Sequence, residues 1–375
     1  MKKQLHSFTF SIITIAICTI GLGLNAQTIR RVNNTAGLND PNVYSTIQAA
    51  HNAAVAGDII SLEPSENPTY GNLVCSKTLK IVGPGYFLDK NPNTFFDKRL
   101  PAVGHIQFIN GSQNSSIEGV AVIAGSAHGT VQIGVPGVAI SRCKIGTIQF
   151  NYGGFLAGYE SYGNQCTIKS SIIGFVGGES NNPQLANQIS ISNCILMTGV
   201  QNLRNSTISY NTFNVDGNSR FYSVINCTIT NNIFDTRGQG STFSIIDYPD
   251  SFNSGNSVSN NLCIDAPNGL PEGSGNVRGA VASSIFINSG DPFGTYGGRA
   301  NINYLPEDKI FQLSQNSPAK TAAAGGGEAG AFGNGVNAYK LSGLPASPII
   351  TNFTNTGSGT NTTPLTITIS VRSNN

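Results

Sequence analysis

"ITNNIF", residues 229–234, is one of seven copies of a six-residue pattern in the middle of the chain. The pattern is a β-branched residue, a polar residue, any residue, a turn residue, any residue and an apolar residue. The copies are "IEGVAV" (117–122), "ISRCKI" (140–145), "IKSSII" (168–173), "ISNCIL" (191–196), "ISYNTF" (208–213), "ITNNIF" (229–234) and "VSNNLC" (258–263). They start 23, 28, 23, 17, 21 and 29 residues apart, which suits one coil of a three-sided β-solenoid.

The pattern has a direct physical reading in a solenoid. The first and sixth positions point inward on successive sides, the second faces water, and the fourth lies at a corner. One coil cannot bury its own apolar residues, so coils must stack with strands about 4.8 Å apart. The first positions should then form one internal column: Ile117, Ile140, Ile168, Ile191, Ile208, Ile229 and Val258. A β-propeller would need longer repeats of four strands each.

The segment before the repeats predicts a short helix followed by strands. Ser45 and Gln48 have the spacing of a capping box, and Ile47, Ala50 and Ala54 mark one apolar helical face. Gly57 is placed to end this helix. The segments "DIISL" (58–62) and "TLKIVGPG" (78–85) read as short strands.

Residues 45–85 resemble the N-terminal cap and first coils of right-handed parallel β-helix proteins, the pectin-lyase-like superfamily. The resemblance implies an all-β right-handed parallel β-helix, with a capping helix that shields the open end of the stack. "FQLSQNSPAK" (311–320) and "GEAGAFG" (327–333) look like the final coil of secreted β-helix proteins of the Bacteroidetes type. This fold hosts lyases, hydrolases, esterases, epimerases and adhesins, so it does not assign an activity.

Three parts of the chain are expected. Residues 1–26 have the pattern of a signal peptide, in which Lys2 and Lys3 precede an apolar run and Ala26 suits cleavage. Residues 27–340 form the predicted β-helix with its N-terminal cap. Residues 341–375 form a C-terminal tail, read as a β-hairpin between "SPIITNFTN" (347–355) and "PLTITISVRSNN" (364–375). We therefore expect an exported protein located outside the cell, at its surface or in the periplasm, and not embedded in the membrane.

The composition narrows the class of partner. The chain has 21 basic and 19 acidic residues and is only 11% charged. Nucleic-acid binding normally requires a basic face, so we expect no nucleic-acid partner. Solubility must come from Ser, Thr, Asn and Gly, and such polar faces favour polysaccharide or a cell-surface glycan as partner.

Six cysteines remain after the predicted cleavage: Cys75, Cys143, Cys166, Cys194, Cys227 and Cys263. Cys166 and Cys227 fall at equivalent positions three coils apart, about 14 Å by strand spacing and beyond the reach of a disulfide. We expect free, buried thiols that fill space in the core.

Asparagine occupies the fourth position of three successive copies, at Asn211, Asn232 and Asn261. Stacked amides can donate to one another along the axis, as in the asparagine ladders of cross-β assemblies. We expect such a ladder, because buried polar groups persist where they are paired.

Acidic residues follow the sixth position on adjacent coils, at Asp216, Asp235 and Asp265, with Arg237 close to Asp235. This column is the catalytic candidate, since polysaccharide lyases of the resembled fold use an Arg or Lys base with Ca²⁺ held by acids, and glycosidases use paired Asp. The alternative is that each Asp only begins a turn.

Three functions stay open from the sequence. The leading hypothesis is an exported β-helix protein that binds polysaccharide or a cell surface through its lateral face, without a recognisable catalytic motif. The second is a polysaccharide lyase or glycoside hydrolase at the acidic column, with Ca²⁺ as its cofactor if it is a lyase. The third is a structural spacer.

Overall fold

The computed structural model describes residues 27–373, apart from 39, 68, 125–126, 151–162, 179–185, 216–219, 240–241, 247–252 and 288–306. The predicted signal peptide and Asp216 lie outside the described residues. The described chain is mostly β, with long parallel sheets that are compatible with an all-β solenoid. In this part of the chain we find no helix long and apolar enough to span a membrane.

The strands are numbered β1–β29 along the chain. An 11-stranded parallel sheet, the first face, has the order β2-β1-β3-β5-β8-β12-β14-β17-β20-β23-β25. Its strands are β1 (Ile29–Val32), β2 (Val43–Tyr44), β3 (Ile59–Leu62), β5 (Lys80–Val82), β8 (Ser116–Glu118), β12 (Ala139–Ser141), β14 (Thr167–Lys169), β17 (Ser190–Ser192), β20 (Thr207–Ser209), β23 (Thr228–Thr230) and β25 (Ser257–Ser259).

A second sheet has 16 strands, and only the pairing of β10 with β9 is antiparallel. Its strands are β4 (Leu73–Cys75), β6 (Ala102–Val103), β7 (Ile106–Phe108), β9 (Ala121–Ala124), β10 (Ala127–His128), β11 (Thr130–Ile133), β13 (Lys144–Phe150), β15 (Ile172–Gly178), β16 (Ala186–Asn187), β18 (Ile195–Leu196), β19 (Val200–Arg204), β21 (Thr212–Asn214), β22 (Tyr222–Ile225), β24 (Ile233–Asp235), β26 (Leu262–Ile264) and β27 (Val277–Ala280).

The second sheet contains two stacked runs of strands. β13 pairs with β9 through Lys144 and Ile145, and with β11 through residues 147–150. We call the run through β9, the starts of β13 and β15, β18, β21, β24 and β26 the second face. The run through β7, β11, the ends of β13 and β15, β19 and β22 is the third face. Neither sheet closes on itself, since each ends in open strands.

The predicted internal column is confirmed by the strand register. Each first-position residue pairs with the next, from Ile117↔Ile140 to Ile229↔Val258. The column also extends backwards through Ile81 and Ile60. The sixth positions form a second buried column on the second face, from Val122 to Cys263. Both columns belong to one apolar core, and each buried Ile contributes about 1.5–3 kcal/mol.

The corner lies one position earlier than the sequence indicates. In all seven copies the third residue has a positive φ, between 50° and 67°, in the left-handed region. These residues are Gly119, Arg142, Ser170, Asn193, Tyr210, Asn231 and Asn260. The fourth residue follows this turn and points inward, which is why its side chain is buried.

Helix α1 spans Ile47–Ala53 and packs against β1–β4. Its N-cap is Thr46, whose hydroxyl accepts from the Ala49 amide at 3.1 Å, so the capping box expected at Ser45 is wrong by one residue. The helix ends before Gly57, which lies in the following turn with φ 96°.

The region after β27 does not add a coil to the described stack. Residues 307–344, which we call the strap, run back along the outside of the second face, and the tail follows from Pro345. They contain short 3₁₀ turns, at Asp308–Phe311, Pro318–Lys320, Ala324–Gly326, Gly335–Asn337 and Leu341–Gly343, and isolated bridges at Leu313 and between Ala323 and Gly327; one more 3₁₀ turn, Ala282–Ser284, precedes them. The segments expected to form a final coil therefore lie in the strap instead.

The last strands, β28 (Ile349–Asn355) and β29 (Ile367–Arg372), pair antiparallel. Phe96 anchors this hairpin, since its amide donates to the Ile350 carbonyl at 2.9 Å and its ring lies 5.9 Å from that of Phe353. All six residues of β29 are exposed.

Candidate binding face

Eight hydroxyl side chains form a regular array on the outside of the first face. Strands β17, β20, β23 and β25 read "SIS", "TIS", "TIT" and "SVS", and their central residue is the inward one. Alternation along a strand therefore turns both flanking residues outward. We call this array the hydroxyl face: Ser190, Ser192, Thr207, Ser209, Thr228, Thr230, Ser257 and Ser259.

The register arranges these hydroxyls in two columns. Ser190, Thr207, Thr228 and Ser257 form one column, and the residues two positions later form the other. Spacing is about 4.8 Å along a column and roughly 6.7 Å across a strand. The hydroxyl oxygens of Thr230 and Ser259 lie 3.5 Å apart. None of the eight residues is buried, so the array is open to solvent.

Charged residues occur in these two columns only on strands nearer the N-terminus. Lys169 on β14 is exposed, and Glu118 on β8 lies 3.7 Å from the Lys80 ammonium and 3.6 Å from the Arg142 guanidinium. The uncharged array is therefore confined to the four strands β17, β20, β23 and β25.

The second face cannot offer a comparable surface, because the strap covers it. Outward residues of this face, such as Ile233 and Leu262, are fully buried in a second apolar cluster with Ala329 and Ala331 of the strap. A polar side chain of this face also binds the strap, since the Thr212 hydroxyl accepts from the Ala331 amide at 3.1 Å.

The corner residues hold the strap in place. The Asn231 side chain accepts from the Ala324 amide at 2.9 Å, and the Asn193 amide donates to the Gly333 carbonyl at 2.9 Å. The Arg142 guanidinium donates to the Leu344 carbonyl at 2.9 Å. Asn231 is only 5% exposed, because its side chain faces the strap and not solvent.

A buried polar cluster joins the strap to the part of the chain that follows β5. Asp308, fully buried, accepts from the Asn91 amide at 3.0 Å, the Ser342 amide at 2.6 Å and the Tyr339 hydroxyl at 3.2 Å. The Tyr339 and Tyr86 hydroxyls are 2.6 Å apart. Burial raises the pKa of Asp308, although its hydrogen bonds oppose the shift. The cluster fastens the strap to the loop after β5.

The asparagine ladder is confirmed. Asn211 Nδ2 donates to Asn232 Oδ1 at 3.1 Å, and Asn232 Nδ2 donates to Asn261 Oδ1 at 2.9 Å. Asn276 adds a fourth rung at 3.2 Å. The oxygens of Asn232, Asn261 and Asn276 also accept the backbone N–H of the preceding rung, and that of Asn211 accepts the Cys194 N–H. Each amide nitrogen also donates to a backbone carbonyl. The ladder is therefore structural.

The cysteines are free and buried, as predicted. Burial raises the pKa of Cys143, Cys166 and Cys194 to about 12, and that of Cys75 and Cys263 to about 11. Such thiols remain protonated at neutral pH and serve as small apolar side chains.

The two predicted acidic residues that the structure describes, Asp235 and Asp265, are not aligned by the strand register. Asp235 pairs with Ile264, so Asp265 is displaced by one residue, and it is exposed with φ 66°. Asp235 is fully buried, and both its oxygens accept from Arg237 Nε, at 2.9 and 3.1 Å. A catalytic base must reach its substrate, and this geometry does not favour that role for Asp235. Catalysis by Asp216, Asp235, Asp265 and Arg237 stays a prediction.

Across the described residues, we find no group of three His, Cys, Asp or Glu side chains that could hold a metal ion. Comparisons with protein-family models, with curated proteins and with solved structures find no match.

Proposed function

We propose that this chain is an exported right-handed parallel β-helix protein of the pectin-lyase-like type that binds neutral polysaccharide through its hydroxyl face. The stacked parallel strands support the fold, because crossovers between parallel strands are right-handed in about 98% of cases. Helix α1 would close the N-terminal end, where the Gln48 side chain accepts from the Val74 amide at 2.8 Å. The signal-peptide pattern of residues 1–26 supports export.

The uninterrupted hydroxyl array is the observation that carries the ligand assignment. A hydroxyl both donates and accepts, so it can pair with any sugar hydroxyl. The array repeats regularly over four strands, which suits a polymer with repeating groups better than a single small molecule. It carries no charge that would favour a uronate over a neutral sugar.

The proposal is tested by co-sedimentation of the chain from Gln27 onward with insoluble cellulose, chitin, xylan and β-1,3-glucan, alongside pectate and alginate gels. The double substitution Thr207→Val and Thr228→Val keeps side-chain shape and removes two hydroxyls. Two lost hydrogen bonds should weaken binding to a neutral polymer about tenfold. Thr147→Val makes the same substitution on the third face, where Thr147 is half-exposed; this control should bind normally.

Unchanged binding by the double variant would contradict the proposal, and so would binding only to pectate or alginate. The same incubations, with and without Ca²⁺, should release neither unsaturated products nor new reducing ends. Products that disappear in Asp235→Ala would instead establish the lyase or hydrolase alternative.

A further inference from the structure

A separate cleft lies at the N-terminal end of the first face. It has a volume of ≈ 340 Å³ and opens between the outer side of β3 and β5, residues 95–97, and the tail segment 345–349. The Phe96–Ile350 backbone hydrogen bond ties the two outer walls together. The walls of the cleft are therefore held together by the fold itself, and the cleft is large enough for a small ligand.

The tail separates this cleft from the hydroxyl face. Both surfaces belong to the first face, since Ser61 lies in the same outward column as Glu118 and Ser141. The tail crosses this column at Glu118, whose carboxylate accepts from the Ala346 amide at 2.9 Å. A polymer on the hydroxyl face would stop at this crossing, so the cleft forms an independent site.

The charged groups of the cleft are two carboxylates that are already neutralised, and Ser61 and Ser347 are its other polar side chains. Arg31 Nη2 donates to Glu63 Oε2 at 3.0 Å, and Arg99 Nε donates to both oxygens of Asp97 at 3.0 and 3.2 Å. Neither arginine lines the cleft. The cleft thus offers acceptor oxygens without a net negative charge that would favour a cation, and without a lining cation that would hold an anion.

The rest of the lining is mainly apolar and includes an aromatic ring. Phe96 is 42% exposed, and its neighbour Phe95 lies 5.3 Å away between ring centroids. Pro84 and Pro348 contribute further apolar surface. An aromatic face beside carboxylate acceptors is complementary to a sugar ring, which presents C–H groups on one face and hydroxyl donors around its edge.

We propose that this cleft binds one pyranose ring of a neutral sugar, with its C–H face against Phe96 and its hydroxyls donating to Glu63 and Asp97. The site is distinct from the polymer-binding face and takes a chain end or a free sugar. A uronic acid would bring a third carboxylate beside Glu63 and Asp97, and the arginines that neutralise these two lie outside the cleft lining. Amino sugars would gain no net charge attraction.

The test is saturation-transfer NMR with the full chain from Gln27 onward and the methyl glycosides of glucose, galactose and mannose, compared with glucuronic acid and glucosamine. At least one neutral glycoside should bind saturably, and the two charged sugars should bind at least about tenfold more weakly. Phe96→Ala and Asp97→Asn should each weaken the neutral glycoside by about tenfold.

The hydroxyl-face variant Thr207→Val with Thr228→Val is the control and should bind the glycoside normally. This control separates the two proposals, because either surface can fail while the other still binds. Thermal unfolding checks that each variant folds. If Asp97→Asn does not fold, the binding measurement on Phe96→Ala is sufficient to test the proposal. The inference is overturned if no neutral glycoside binds, if the charged sugars bind equally well, or if folded Phe96→Ala binds like the wild type.

Discussion

Replacing Asn232 by alanine should break the asparagine ladder at its centre. Its Oδ1 accepts from the Asn211 backbone amide at 2.8 Å, and its Nδ2 donates to the Ile208 carbonyl at 2.9 Å. The other partners keep a second bond: Asn211 Nδ2 still donates to Ile191, and Asn261 Oδ1 still accepts from the residue 232 amide. The Asn211 amide and the Ile208 carbonyl therefore each lose a hydrogen bond to the Asn232 side chain, and Asn232 is 0% exposed.

Each buried polar group left without a partner costs about 1–3 kcal/mol, so Asn232→Ala should lower the free energy of unfolding by about 2–6 kcal/mol. Urea unfolding followed by circular dichroism measures this difference. Asn276→Ala, at the half-buried end of the ladder, should cost less than half as much, because water can replace its bonds. Asn232→Ser should recover part of the loss, since the Ser171 hydroxyl accepts the Cys143 amide at 3.0 Å at the same corner.

The reasoning would be refuted if Asn232→Ala unfolded within about 0.5 kcal/mol of the wild type, the range of an ordinary surface substitution. Equal losses for Asn232→Ala and Asn276→Ala would also contradict it, because burial would then not set the cost.

Three further outcomes are expected. Burial raises the pKa of Asp308 above 3.8, so the folded chain holds a proton that the unfolded chain releases. Stability should therefore fall as pH rises from about 4 through the folded pKa, and Asp308→Asn should flatten that part of the profile of thermal midpoint against pH. Identical profiles for the variant and the wild type would contradict this. In the chain from Gln27 onward, no thiol, Cys143 included, should react with Ellman's reagent at pH 8 before unfolding, and all six should react after it; rapid reaction of the folded chain would show exposure. At Gly330, with φ 83°, an added Cβ would lie 2.5 Å from Ile233 Cδ1. Gly330→Ala should therefore destabilise the packing of the strap by about 1–3 kcal/mol and speed tryptic cleavage after Lys320. An unchanged cleavage rate would show that the strap tolerates the added methyl group.

The stacked core could be predicted because every coil must bury an apolar side chain at the same position, between the equivalent residues of its two neighbours. A residue such as Ile229 lies between Ile208 and Val258, so an apolar, β-branched side chain recurs at each return of the chain. Asn232 was predictable for the same reason, since its neighbours in the ladder occupy the same position of adjacent repeats.

The corner position was missed because its residues share a backbone conformation and not a chemistry. Arg142, Tyr210 and Asn231 all have φ between 55° and 60°. Gly, Asn and Asp are the usual residues with positive φ, so Arg and Tyr hide the position in the sequence. The fourth position carries the more regular polar residues and was taken for the turn.

The strap left no local signal, because its contacts join residues far apart in the chain. Ala331 meets Thr212 across 119 positions, and Asp308 meets Asn91 across 217. Asp308 is one acid among 19 acidic residues, and only the fold shows that it is buried. Its partners likewise follow no repeat.

The most direct test of the account asks whether polysaccharide covers the hydroxyl face. Thr228→Cys adds one exposed thiol to the middle of this face, while the native thiols are buried and remain silent. Its alkylation rate is measured with and without the neutral polysaccharide that sediments the protein, and Asn337→Cys on the exposed side of the strap is the control. We predict that polysaccharide slows alkylation at position 228 and leaves position 337 unchanged. Protection at 337 with none at 228 would contradict the central claim.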